Sequence, residues 1–277
     1  PLTPSLANRI VPFTSCALHK ARTAGRNASA SSKRVKWYNA AIVIMDAQIR
    51  LSGSLDKGFA LTPAYGDHNL ATNTVEGYLM THALIVIDVQ NDFCLNGALA
   101  VSGGHEIVSG VNALMSRADA VVLTQDWHPA GHSSFASSHT DKGPYELTKM
   151  PYGDQVLWPD HCVQGTDGAL FHADLNQDRA DIIIRKGYNH SIDSYSAFFE
   201  NDQKTPTGLE GYLRTRGISK LVIVGLATDF CVNFSAMDAA KLGFNVTVKM
   251  DLCRAIDVDG SFDAAIAGMN GAGVTLA

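Results

Sequence analysis

Short, unbroken apolar runs, each closing on a polar or glycine position, recur along the C-terminal two thirds of the chain. Ala83-Leu-Ile-Val-Ile-Asp88 is the first. Ala120-Val-Val-Leu-Thr-Gln-Asp126, Asp181-Ile-Ile-Ile-Arg-Lys186, Leu221-Val-Ile-Val-Gly225 and Val246-Thr-Val-Lys-Met250 follow. Continuous apolar runs of this length suit strands buried on both faces, as in parallel sheets. Between them, helical spacing is read over 104–118, 207–216, 229–242 and 261–271, and a short last strand over 273–276. Strands alternating with helices require right-handed crossovers, so the expected fold is α/β: a three-layer αβα domain with a mostly parallel, doubly wound sheet of about six strands. Residues 127–180 carry no strand pattern, and an irregular stretch that long in a compact domain is usually functional.

The first 80 residues read differently. Up to residue 45 the chain is rich in Ser, Ala, Arg and Lys, without a carboxylate before Asp46, and only Trp37–Ile49 offers a marginal element. Residues 1–82 hold nine Lys/Arg against four Asp/Glu, while 83–277 hold thirteen against twenty-three. A balance of +5 beside one of −10 marks two unlike regions. The expected division is a basic, poorly packed extension over 1–79 and an α/β domain over 80–277. Met80 stands just before the first strong strand, as a true start would. An Arg- and Ser-rich, acid-poor segment also has the composition of a transit peptide. A cytoplasmic protein is expected, with organelle targeting by residues 1–45 as the alternative.

Composition removes several classes. The longest apolar runs, Ala40–Met45 and Ala83–Ile87, fall far below the ~18 residues of a membrane span, so no membrane partner is expected. A net charge of −5 without a basic stripe argues against nucleic acid. Five dispersed cysteines with no Cys-x-x-Cys argue against both a disulfide framework and a dithiol redox site.

In open parallel sheets, ligands bind beyond the carboxyl ends of the strands. The residues there are Asp88, Asp126, Lys186 and the turn Ala227–Cys231. A free thiol, with a pKa of ~8.5, is only a few per cent ionised at neutral pH. Half-ionisation needs about 2 kcal/mol, more than the ~0.3–1 kcal/mol of a helix N-terminus. A cation is required, and Lys186 is the candidate. On position alone Cys231 reads equally well as a buried small hydrophobe. A second cluster is Asp126-Trp-His128 with His161 on the following loop. An Asp-x-His pair in extended chain points both side chains one way. With His161 it offers an oxygen/imidazole set for Zn²⁺, Fe²⁺ or Mn²⁺.

The segments Ile87-Asp-Val-Gln-Asn-Asp-Phe93, Asp126-Trp-His-Pro-Ala-Gly-His-Ser-Ser-Phe135, Trp158-Pro-Asp-His-Cys-Val-Gln-Gly-Thr166, Lys186 and Gly225-Leu-Ala-Thr-Asp-Phe-Cys-Val232 resemble the nicotinamidase/pyrazinamidase branch of the isochorismatase-like cysteine hydrolases. The resemblance runs from about Met80 to the end. It implies Cys231 as nucleophile, Asp88 as general acid/base and Lys186 as their cationic partner. Asp126, His128 and His161 would be ligands to one divalent metal, zinc first among the choices, with His132 a further candidate because family members differ there. It also implies oxyanion stabilisation by the Ala227 and Cys231 backbone N–H groups, a cis peptide before Ala227, and a ring slot formed by Phe93 and Trp158. The implied reaction is hydrolysis of nicotinamide, or pyrazinamide, through a cysteine thioester, in NAD salvage. The alternative is a related amidase acting on another small carboxamide or a ureido compound. Vinyl-ether-cleaving relatives lack the cysteine, and metal-free ureido amidases lack the Asp-x-His…His set. The partner is a small neutral molecule, and a homo-oligomer is compatible with the family.

Overall fold

The computed structural model describes residues 82–277. The expected extension over 1–79, the element at Trp37–Ile49 and Cys16 lie outside the described residues.

The sheet begins with β1 (His82–Ile87), followed after a loop by α1 (Val108–Met115) and β2 (Ala120–Asp126). A small hairpin, β3 (Leu147–Met150) with β4 (Gly153–Val156), precedes β5 (Ile182–Lys186). Then come α2 (Leu209–Thr215), β6 (Lys220–Leu226), α3 (Asn233–Lys241), β7 (Asn245–Arg254), α4 (Ser261–Gly271) and β8 (Thr275–Leu276). The main sheet has six strands in the order β5-β2-β1-β6-β7-β8, and every pair in it is parallel. The chain winds outward from β1 through β2 to β5, then crosses back to β6 on the other side. The switch point therefore falls between β1 and β6, where open α/β sheets place their ligands.

Strand periodicity splits the core in two. Ala83, Ile85 and Ile87 enter one apolar cluster with Phe198, Leu209 and Leu213, whereas Leu84 and Val86 enter another with Val108, Val111 and Met115. Successive side chains on a strand face opposite ways, so a run apolar at every position requires cover on both faces. Among the described residues, no helix is long and apolar enough to cross a membrane.

Two differences from the sequence reading stand out. The segment 127–180, read as strandless, contains the antiparallel β3–β4 hairpin, paired from Leu147↔Val156 to Met150↔Gly153. Its strands are four residues each and bury Gln155 alone, so no apolar run signals them. The helix expected from Asp229 begins instead as a π-helical turn, Thr228–Val232, with α3 following at Asn233. The Val232 N–H reaches back five residues to the Ala227 carbonyl at 3.1 Å.

Candidate active site

Parallel register brings the strand ends into line. Asp126 pairs with Lys186 across β2 and β5, and Ile87 with Gly225 across β1 and β6. Gly225, at φ 122°, lies so close to β1 that a Cβ would overlap the Ile87 carbonyl. Only glycine permits that approach.

At this edge Lys186 is fully buried. Its ammonium stands 2.8 Å from Asp88 Oδ2, 3.1 Å from Asp126 Oδ1, 2.9 Å from the Ser194 carbonyl and 3.5 Å from Cys231 Sγ. Asp88, in left-handed backbone at φ 47°, is also fully buried. Thr124 holds its other oxygen, donating to Oδ1 at 2.7 Å while accepting the Asp88 N–H at 3.1 Å. The Lys186 ammonium is the charge partner of Oδ2, and the second lone pair of that oxygen can accept a further hydrogen bond. Thr124 was not singled out from sequence; a lone hydroxyl inside the apolar β2 run was its only signal.

Burial and charge set the protonation states. Burial raises the Asp88 carboxyl above its ordinary range, Lys186 opposes this, and Asp126 adds to it. For Asp126 burial acts upward too, but His128 and Lys186 outweigh it and hold the carboxylate well below the usual range. Lys186 is lifted well above an ordinary lysine because Asp126 and Asp88 overcome its burial. Burial drives the Cys231 thiol well up, with Lys186 pulling down and Asp88 and Asp126 pushing up. The expectation that Lys186 would lower the thiol is thus only half met. The cation is in contact, yet burial and two carboxylates outweigh one ammonium, and the group rests as a thiol.

Asp126 Oδ2 lies 3.1 Å from His128 Nε2 and 3.4 Å from His161 Nε2. All three side chains are buried, and their donor atoms lie within 4.8 Å of one another. His128 directs Nδ1 to the Gly187 carbonyl at 2.9 Å, and His161 directs Nδ1 to the Pro159 carbonyl at 2.8 Å. A carbonyl can only accept, so each ring carries a hydrogen on Nδ1 and turns Nε2 toward Asp126. Two imidazole Nε2 atoms and a carboxylate oxygen converging from buried side chains, with Nδ1 of each ring anchored on a carbonyl, form an arrangement that a divalent cation can complete in place of the shared protons. The donor set fits such an ion. His132 belongs to a second grouping with His128 and Asp193, but both its nitrogens are engaged. Nε2 meets the Asn189 carbonyl at 2.8 Å, and Nδ1 meets Ser134 Oγ at 2.8 Å. Directed bonds at both nitrogens set His132 apart from the Asp126, His128 and His161 group.

Beside the thiol is a narrow slot lined by Phe93, Trp158, Ala227, Tyr195, Phe230 and Ile256, among others. Trp158 packs edge-on against Phe230 at 4.8 Å, and Phe93 packs edge-on against His161 at 5.4 Å. The Leu226–Ala227 peptide is cis. Asp229 ties the turn to the rest of the edge by accepting the Ile256 and Asp257 N–H groups. Tyr195 and Asp193 were missed by sequence reading, because they lie in the loop after β5 with no periodic signal. A wider groove of about 670 Å³ borders the slot across Tyr195. It contains no cysteine, so it is not where the reactive groups meet.

A buried thiol in reach of both an ammonium and a carboxylate, at the carboxyl edge of a parallel sheet, is the equipment of a hydrolase that works through a covalent intermediate. The isochorismatase domain family matches residues 82–277, and the chain belongs to that family. A nicotinamidase of Acinetobacter baylyi is 53% identical over 192 residues, covering 69% of this chain and 90% of the relative. The solved structure of an Acinetobacter baumanii nicotinamidase/pyrazinamidase superposes with a TM-score of 0.70 at 51% identity, covering 71% of this chain and 95% of that one. A pyrazinamidase of Pyrococcus horikoshii in complex with zinc superposes with a TM-score of 0.58 at 35% identity, covering 71% and 98%.

Proposed function

We propose that the chain hydrolyses nicotinamide to nicotinate and ammonia, accepting pyrazinamide as an analogue, as a nicotinamidase of NAD salvage. One observation carries the reading: the Lys186 ammonium touches Asp88, Asp126 and Cys231 Sγ together. That contact joins the reacting groups to the donor triad. The high identity to nicotinamidases over the whole described domain supports the substrate.

In this mechanism Asp88 removes the Cys231 proton as sulfur attacks the carboxamide carbon. The base is needed because the thiol is held up by burial, and Lys186 offsets the negative charge at sulfur. The oxyanion accepts from the backbone N–H groups of Ala227 and Cys231. Asp88 then gives its proton to the departing nitrogen, so that ammonia leaves and a thioester remains. Water, deprotonated by Asp88, adds to the thioester carbon, and nicotinate departs as sulfur regains its proton. Phe93 and Trp158 hold the ring and exclude water.

Asp126, His128 and His161 would hold one divalent metal, zinc in the first instance with Fe²⁺ or Mn²⁺ as alternatives, whose chemistry is to bind the pyridine nitrogen and orient the ring. Residues 80–277 constitute the catalytic domain, with 1–79 a separate extension, and the compartment is the cytoplasm. The test is ammonia release from nicotinamide by purified protein, with and without a chelator. Turnover that is lost on chelation and restored by metal is expected, and no turnover with metal present overturns the reading.

A further inference from the structure

Beyond its last ladder pair with β6, Leu226↔Arg254, the chain leaves β7 and runs through an irregular turn before α4 begins at Ser261. Ile256 lies in that turn and forms an aliphatic wall of the slot that also holds Cys231. The ladder no longer fixes it there, and Asp257 and Asp259 turn the backbone through left-handed conformations, at φ 57° and 52°. A turn of this kind needs its N–H groups met from outside the sheet. One carboxylate meets two of them. Asp229 Oδ1 accepts the Ile256 N–H at 3.1 Å, and Oδ2 accepts the Asp257 N–H at 2.8 Å. Ser261 donates its hydroxyl to Oδ2 as well, while its own oxygen accepts the Val258 N–H at 2.9 Å. Two carboxylate oxygens have room for these three donors, and each donor has one hydrogen to give. Asp229 is itself buried. It stands two positions before Cys231 in the π-helical turn, so the wall is pinned to the same short piece of backbone that carries the nucleophile.

We propose that Asp229 is a positioning residue that sets the width of the slot. By holding Ile256 at a fixed distance from Cys231, it restricts the acyl group to one small, unsubstituted planar ring. The bearing on substrate rests on the amidase reading above; the width itself does not. Removing the carboxylate leaves the Ile256 and Asp257 N–H groups without their acceptor, and the turn must shift toward water to satisfy them. The wall then moves away from sulfur, and wider molecules gain access.

The test is a double-mutant cycle on the full chain with Asp229→Ala, Ile256→Ala and both together, read as ratios rather than rates. The first ratio is alkylation of Cys231 by iodoacetanilide relative to iodoacetamide, followed on the labelled peptide by mass spectrometry. The two reagents share one reacting carbon and differ in a phenyl ring. The second is kcat/KM for 5-methyl- and 6-methylnicotinamide relative to nicotinamide. Asp229→Ala is expected to raise the alkylation ratio roughly 10-fold, the worth of one methyl group's room in an apolar pocket. It should also raise the second ratio for at least one methyl compound. Ile256→Ala should act the same way, and Asp229→Ala should add nothing once the Ile256 side chain is gone. A merely structural Asp229 would slow both reagents alike and leave the alkylation ratio within about twofold of wild type. That result overturns the proposal, as does an Asp229 effect of undiminished size in the Ile256→Ala background. Unchanged methyl ratios beside a raised alkylation ratio overturn its bearing on substrate choice. If Asp229→Ala folds poorly by thermal melt, Asp229→Asn replaces it, since its amide turns a donor toward one of the two N–H groups. The alkylation ratio needs no turnover, while wild-type ammonia release tests the amidase reading on its own.

Discussion

The two halves of the site share Asp126 but are built from different material. Asp88, Lys186 and Cys231 come from the ends of β1 and β5 and the turn after β6, so sheet register places them. His128 and His161 come from the long segment between β2 and β5, where no ladder helps, and each must be tethered separately. Gly187 and Pro159 carbonyls orient the two rings. Asp92 pins the backbone behind His161 by accepting the Cys162 N–H at 2.7 Å on Oδ2 and the Ala98 N–H at 3.1 Å on Oδ1. The strand-end half should therefore fail only when its own groups are changed. The loop half should also fail when distant supports are cut.

The largest effect expected from breaking this contrast is at the nucleophile. Cys231→Ala should lower ammonia release at least about 10⁴-fold, while metal content by elemental analysis stays at the wild-type ratio. Loss of metal in that variant would mean the halves are not separable. Asp88→Asn should cost roughly 10² to 10⁴ in kcat/KM, and the pH profile supplies the sign. Asp88 must be ionised to take the thiol proton, and burial raises its pKa. The acid limb of wild-type kcat/KM should thus fall above the ordinary carboxylate range of about 4, with activity lost as pH drops through it. Asp88→Asn should lack that limb.

A smaller effect tests the tethered half. Asp92→Ala should weaken metal retention by roughly 10- to 100-fold, the usual cost of losing an outer support. Alkylation of Cys231 by iodoacetamide in the chelated protein should be unchanged, and a matching fall in thiol reactivity would contradict the separation. The smallest expected effect lies outside both halves. A chain beginning at Met80 should keep kcat/KM for nicotinamide within about twofold. A large loss would assign residues 1–79 a part in the active domain.

What could be read in advance follows the same contrast. The five strands and the polar residues closing them were legible because a strand buried on both faces needs an unbroken apolar run, and its end shows as the first polar residue. Asp88, Asp126 and Lys186 were found that way, and their convergence follows from parallel topology alone. The hairpin was not legible, since exposed residues such as Lys149, Gly153 and Asp154 carry no hydrophobic period. Tyr195 and Asp193 escaped for a related reason: neither lies in a periodic element, and their importance comes from partners 37 to 40 positions away.

The sequence by itself determined the layers, the strand ends and the identity of the groups that gather there, because burial writes itself into local periodicity. Only the tertiary structure decided the charge state of that gathering. Whether Cys231 rests as thiol or thiolate depends on the summed distances to Lys186, Asp88 and Asp126 and on the loss of water around all four. Those groups belong to four separate elements, and their balance exists only once the sheet has closed around them.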